Sequence, residues 1–306
     1  MDTIVVNNFY KSYGKVEAVR GVSFSVQKGE LFGLIGPDGA GKTTLIRTIC
    51  TLITPTSGTI LVLGKDVNKN PIEIRKIIGY MPQQFSLYPD LTVQQNLNFF
   101  ADLFQVPDRE KKKRLRQLYQ FSKLAPFKNR RAADLSGGMQ QKLALSCALI
   151  HTPEVLVLDE PTYGVDPLSR QELWEILHTI QKEGATILVS TAYMDEAEHC
   201  DRVALFFKGK IVGLGTPDDL KQRYRFPLFK VDGQNLRDLQ NFFKKLKEVR
   251  TTQMFGSALH VSFTRFPDEK QWLKWQEAIQ GNLISWQNYQ PAMEDVFLEL
   301  METSET

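Results

Sequence analysis

Gly36-Pro37-Asp38-Gly39-Ala40-Gly41-Lys42-Thr43 is the stretch with the densest chemistry, and Thr44 follows it. Its spacing, G-x-x-x-x-G-K-[ST], is one that holds polyphosphate. Glycines let backbone N–H groups curl around phosphate oxygens, and a helix N-terminus adds partial positive charge. Lys42 would reach the β- and γ-phosphates, and the Thr43 hydroxyl would ligate Mg²⁺. The apolar run Leu31–Ile35 before the loop and the helical pattern Thr43–Leu52 after it supply the strand and helix such a loop needs. A glycine turn before an ordinary helix is the plainer alternative, and this context argues against it.

Val155–Leu158 is a second apolar run, and it ends in Asp159 and Glu160. A buried strand can deliver the first carboxylate to a Mg²⁺ shell, where the metal charge offsets its desolvation. The second can then polarise a water beside a γ-phosphate. Alone, such a strand end reads more simply as acid facing solvent; beside a phosphate loop it reads as chemistry. Leu135-Ser136-Gly137-Gly138-Met139-Gln140 opens a helix, with Ser136 suited to the N-cap. It also has the make-up of a second phosphate-reading loop, a serine with two close-approach glycines at a helix start.

The elements that must position these residues show as short runs. Leu31–Ile35, Val155–Leu158 and Thr186–Val189 are each followed by helix signals, which predicts an α/β fold of parallel strands with crossover helices. Ile4–Phe9, Gly21–Val26, Thr59–Leu63, Val203–Phe207 and Ile211–Leu214 alternate more, as strands of an antiparallel portion do. From about 92 to 152 three helical patterns follow one another as a helical subdomain. Composition shifts near Lys221–Pro227, which places a first domain at 1–225 and a second at 226–306. In the second, a strand at Pro227–Val231, a helix at Asn235–Val249, a hairpin around Gly256-Ser257, a helix at Glu269–Ile279 and a strand at Leu283–Tyr289 give the order βαββαβ. That order is ferredoxin-like. A short helix at Ala292–Met301 closes the chain.

Composition narrows the function classes. The 306 residues allow two domains, and 42% apolar with 24% charged residues excludes a disordered chain. A net charge of +3 is too small to imply nucleic-acid binding. No apolar stretch approaches the roughly 18–20 residues of a bilayer span. The N-terminus lacks the basic-then-apolar order of a secretory signal. Cys50, Cys147 and Cys200 have no metal or redox spacing, which points to a reducing compartment.

Taken together, these motifs resemble those of the ATP-binding subunits of ABC transporters over roughly residues 1–225, with a P-loop NTPase core. The likeness covers the Walker A loop at 36–43, the signature at 135–140 and the Walker B segment at 155–160. It also covers Gln83 in Gly79-Tyr-Met-Pro-Gln83 (the Q-loop), Asp166 in Gly164-Val-Asp166-Pro (the D-loop), and Tyr13 where the family stacks an aromatic on adenine. Asp38 stands where the family more often has asparagine, which changes the loop's charge and keeps its geometry.

The resemblance implies a mechanism. Two such domains meet head to tail, each ATP lying between the Walker residues of one and the signature of the other. Closure on MgATP and opening after hydrolysis drive a multi-spanning permease, with the subunit peripheral at the cytoplasmic face of the membrane. Asp159, Thr43 and Gln83 serve Mg²⁺, and Glu160 with Gln83 arranges the water. Gln84–Thr92, with Phe85, Leu87 and Tyr88, would form part of the groove that receives the permease. A finer likeness to ABC-2 type drug and lipid exporters rests on Tyr88–Val93, Gly213–Leu220 and Pro291–Phe297. A soluble ATPase acting on ribosomes or nucleic acid is the alternative. The ribosomal kind carries two ATPase domains joined by a charged linker, whereas this sequence shows one such domain and little net positive charge.

One position departs from the pattern. The family follows this strand with Ser-Thr-His, whose histidine contacts the γ-phosphate; here the sequence reads Ser190-Thr191-Ala192-Tyr193. A slow Walker site is the expectation, with this signature completing a faster site on a second ATPase domain; the alternative is a competent homodimer in which Gln83 and Glu160 suffice. The same substitution resembles the first half of bacterial exporter ATPases that fuse two such domains. His199 lies too far along to substitute. His151, His178, His199 and His260 show no ligand spacing and read as structural or surface residues. The basic run Arg109–Arg116 reads as a solvated helix face in preference to an anionic-lipid contact. Trp272, Trp275 and Trp286 read as core.

Overall fold

The computed structural model describes residues 2–84, 87–279 and 282–305. The chain divides into one unit of Met1–Pro217 with Thr303–Thr306 and another of Asp218–Glu302, a division that falls ahead of the compositional shift at 221–227.

In the first unit β1 (Asp2–Tyr13) and β2 (Val16–Gln27) pair as a long antiparallel hairpin. β3 (Leu31–Ile35) leads through the glycine loop into α1 (Lys42–Ile49). β4 (Ser57–Val62) and β5 (Lys65–Asp66) extend the hairpin into a sheet of order β2-β1-β4-β5. α2 (Pro71–Ile77), with Pro71 in its first turn where no N–H is needed, runs directly into β6 (Ile78–Met81). α3 (Val93–Leu103), α4 (Asp108–Ser122) and α5 (Gly137–Leu149) make the helical stretch. Thr92 and Gln95 cap α3 reciprocally. Then come β7 (Val155–Asp159), α6 (Pro167–Lys182), β8 (Thr186–Thr191), β9 (Arg202–Phe207) and β10 (Lys210–Gly215); α7 (Pro217–Gln222) follows, all but its first residue in the second unit.

The main sheet has the order β10-β9-β3-β8-β7-β6. β3, β7 and β8 are buried at every position, as parallel strands covered on both faces must be. One core joins the two sheets: Ile4, Val6, Val26 and Ile60 meet Phe32, Leu34, Val157 and Leu188, with Leu45 and Ile46 of α1 between. Phe24 and Phe32 stack across it at 5.1 Å.

Two readings of the sequence differ from what is observed. The segments around Val203–Phe207 and Ile211–Leu214 belong to the parallel-cored sheet, where β9 pairs parallel with β3 and only β10 is antiparallel to it. β10 is the edge strand and is half-exposed along most of its length, whereas β9 lies between β10 and β3 and is buried from Val203 to Phe206. β6 and α2 gave no distinct signal because no turn residue separates them.

In the second unit β11 (Leu228–Gly233), α8 (Leu236–Phe243), β12 (Val249–Phe255), β13 (Ala258–Phe263), α9 (Glu269–Ala278) and β14 (Leu283–Asn288) are followed by α10 (Met293–Glu305). The sheet order is β12-β13-β11-β14, antiparallel throughout, as in a split βαβ arrangement. Phe243, Trp272 and Trp275 pack on Val231, Val261 and Phe263. α8 ends at Phe243, short of the expected Val249, which opens β12. Leu246 had extended the helical stripe in sequence; it still packs on this core, from the turn.

Candidate active site

Strand register brings the phosphate loop, the carboxylates and Ala192 to one edge. Ile35 of β3 pairs with Thr191 of β8, and Ser190 with Asp159 of β7. Each strand therefore releases its next residues at the same level: the loop after β3, Glu160 after β7 and Ala192 after β8. Met81 pairs with Leu158, which carries Gln83 to the same place.

The loop fits only glycine at its ends. A Cβ on Gly36 would lie 2.3 Å from the Phe206 carbonyl oxygen. Gly41 has φ +107°, and a Cβ there would lie 2.6 Å from the Ala18 carbonyl oxygen. Asp38, Gly39, Ala40, Gly41, Lys42, Thr43 and Thr44 line a pocket of about 250 Å³ together with Ala18, Gln83 and Glu160.

Lys42 Nζ donates to the Gly36 carbonyl at 2.5 Å and the Pro37 carbonyl at 3.1 Å, and lies 3.2 Å from Glu160 Oε1. The amide of Gln83 donates to Glu160 Oε2 at 3.2 Å. Glu160 sits at φ +51°, a costly conformation for a residue with a side chain. It is held there by Ser190, whose hydroxyl and carbonyl accept from the Glu160 N–H at 3.0 and 3.1 Å. Asp159 is fully buried; its Oδ1 accepts from Thr43 Oγ1 at 3.1 Å and Ser190 Oγ at 2.8 Å, while Oδ2 has no hydrogen-bond partner. Burial pushes the Asp159 carboxyl above the usual aspartate range, against the opposing hydrogen bonds of Ser190 and Thr43.

Other singled-out residues lie apart from this pocket. Tyr13 ends β1 with its ring half-exposed, and the Lys11 ammonium is 5.1 Å from the ring centroid. Ser136 caps α5 by accepting from Met139 N–H, and the Gln140 amide donates to the Ala132 carbonyl at 3.1 Å. Asp166 caps α6 through Ser169 N–H at 3.0 Å, a bond that holds its carboxyl below the usual range. The two capped turns touch: a Cβ on Gly138 would come within 2.3 Å of Ser169 Oγ. Of the Gln84–Thr92 stretch, Phe85 lies outside the described residues. Leu87 lines a groove of about 320 Å³ with Tyr80, Phe100, Phe104 and His151, while Tyr88 is exposed against Phe99.

His199 stacks on buried Trp174 with ring centroids 4.7 Å apart, so its ring is committed to α6. The sequence alone does not mark Ser190 and Glu196 as site residues. Ser190 was visible only as a polar residue closing an apolar run. Glu196, 2% exposed, accepts from Thr162 Oγ1 at 3.0 Å and so ties the segment after Glu160 to the one after Ala192.

Comparisons with known proteins bear on the family and the fold. Residues 19–163 match the family model described as ABC transporter. The chain is 44% identical over 211 residues to the "Probable multidrug ABC transporter ATP-binding protein YbhF" of Escherichia coli (strain K12), a match covering 69% of this chain and 36% of that one. It thus spans little more than a third of that relative's length. Over 300 residues, 96% of both chains, it is 35% identical to the "Linearmycin resistance ATP-binding protein LnrL" of Bacillus subtilis (strain 168). Among solved structures, the ATP-binding subunit of an ABC transporter superposes with a TM-score of 0.66 at 31% identity, covering 72% of this chain and 92% of that one. A dimeric ATP-binding cassette bound to ADP and Pi gives a TM-score of 0.64 at 27% identity, with coverages of 70% and 98%. The chain belongs to the ABC transporter family, as an ATP-binding protein on the α/β P-loop NTPase core.

Proposed function

We propose that the chain is the ATPase subunit of an exporter, seated peripherally at the cytoplasmic face of a membrane under a multi-spanning ABC-2 type permease, and that its own nucleotide site turns over slowly. The carrying observation is an otherwise complete site, with Lys42, Thr43, Asp159, Glu160 and Gln83 assembled, in which alanine occupies position 192. Curated relatives named for multidrug, linearmycin-resistance and Nod factor export proteins support the exporter reading.

In this reading Lys42 meets the β- and γ-phosphate oxygens and Tyr13 stacks on adenine. Mg²⁺ fits the residues present: Asp159 Oδ2 is buried and unpartnered beside the Thr43 hydroxyl, and hard oxygen donors suit the ion. Asp159, Thr43 and the Gln83 amide oxygen would hold it, and it would neutralise charge between β- and γ-phosphates. Glu160 accepts a proton from the attacking water. Ser136, Gly137, Gly138 and Asp166 face the nucleotide of a second ATPase domain. That partner supplies the histidine that this chain lacks, and YbhF has length to spare for such a domain beyond the matched 36%. The groove at Leu87, Phe100 and Phe104 receives an apolar segment of the permease.

Affinity capture of the chain from detergent-solubilised membranes tests the partner. A multi-spanning protein in stoichiometric amount is the expected result. Fractionation with ribosomes or DNA alone contradicts the reading and favours the soluble alternative.

A further inference from the structure

The basic run of α4 is sorted by the helix into two faces. Lys111 pairs with Asp102 at 2.7 Å, and Arg114 pairs with Glu110 at 2.6 Å while donating to the Ile150 carbonyl at 3.0 Å. Those cations are spent on holding the helix in place. Arg109, Lys112, Lys113 and Arg116 stand at i, i+3, i+4 and i+7, all exposed, and none has an ion-pair partner among the described residues. At about 100° per residue they share a sector roughly 100° wide, opposite the buried Leu118 and Ser122. Neither acid of the helix, Asp108 or Glu110, falls in that sector.

Such a stripe carries a cost. Like charges three and four residues apart on a helix repel, and every cation here has two such neighbours. In a chain whose net charge is only +3, the concentration is local. Arg114, on the other face of α4, bonds the Ile150 carbonyl, so the helix is anchored by that face and the stripe is left free.

We propose that this stripe is a docking surface for the anionic lipid headgroups of the membrane beside the permease. No described helix is long and apolar enough to cross a bilayer, so a peripheral seat depends on surface contacts. Four exposed cations complement a negative leaflet, each strengthening partition by about fivefold. The proposal rests on the membrane-peripheral reading.

Co-sedimentation with vesicles tests it. The purified chain is mixed with vesicles of phosphatidylcholine alone, or with a third of the lipid replaced by phosphatidylglycerol, at low and high salt. Anionic vesicles should bind it several hundred-fold more tightly, roughly fivefold per cation, and salt should weaken the binding. The variant Arg109→Gln/Lys112→Gln/Lys113→Gln/Arg116→Gln should lose that preference. It should keep its ATP binding and its melting temperature, because the residues are exposed and their repulsion is removed. Equal partition of the wild type between the two vesicles overturns the proposal, as does a folded variant that binds like wild type. So does tighter capture by a single-stranded oligonucleotide than by anionic vesicles at the same salt. Co-purification of a permease without any preference for anionic vesicles refutes the stripe alone; preference without a permease refutes only the partner.

Discussion

Lys42 and Glu160 are paired at 3.2 Å with their side chains 3% and 5% exposed. The ammonium assigned to phosphate is neutralised by the carboxylate assigned to water, and Gln83 holds the same carboxylate from the other side. In the proposed roles, nucleotide binding exchanges Lys42 from Glu160 to phosphate, and that exchange frees the base.

Glu160→Gln removes the competitor for Lys42 along with the base. MgATP affinity should hold or rise while hydrolysis falls by about 10²–10⁴-fold. Lys42→Ala does the reverse, leaving an unpaired buried anion where phosphate must sit. Its affinity should fall by about 100-fold, as expected for losing a charged contact of roughly 3 kcal/mol. The double variant should recover part of that loss. Calorimetric titration with MgATP reads all three, and equal loss in the single and double variants would refute the competition.

Asp159 should give a pH signature. Burial raises its folded pKa, so the folded chain holds that proton more tightly than the unfolded chain does. The stability from this group is present below the unfolded aspartate value and is lost as pH rises through the folded one. Asp159→Asn should therefore stabilise the nucleotide-free protein near neutral pH, by about 1 kcal/mol, with the gain shrinking in acid. The same change should abolish the rise in melting temperature that MgATP gives. A variant less stable at neutral pH than at acid pH, relative to wild type, would contradict this.

Gly138 is a packing requirement as well as a signature residue. Gly138→Ala sets a methyl 2.5 Å from Ser169 Cβ as well as against its hydroxyl, so the α5 and α6 starts must separate. A loss of about 1–3 kcal/mol is expected, with Ser169→Gly restoring most of it. Urea unfolding of the single and double variants measures it; additive effects would show that the contact is not responsible.

How much was legible beforehand follows from what is local. β3, β7 and β8 read as apolar runs because both their faces are buried, and the phosphate loop and Asp159–Glu160 are contiguous. Ser190 was not legible as a support for Glu160, because that role exists only through the register of β8 on β7. Glu196 and Ser169 are the same kind of case, defined by contacts across the fold. The run Val203–Phe207 reads as antiparallel because β9 has an antiparallel neighbour, β10, on one side; its parallel neighbour β3 is set only by the fold. The two-stripe sorting of Arg109–Arg116 needed the positions of Asp102 and Ile150.

Single-turnover hydrolysis by the purified chain, beside its Ala192→His variant, bears most directly on the slow-site reading. Thr191 accepts the Gly36 N–H at 3.2 Å, so position 192 leaves β8 beside the phosphate loop, where an imidazole would add a donor to the γ-phosphate. One preorganised donor to developing charge is worth about 3–4 kcal/mol, or roughly 10²–10³ in rate. The expected result is slow turnover in wild type and a gain of about that size in the variant. Equal rates in the two proteins would contradict it.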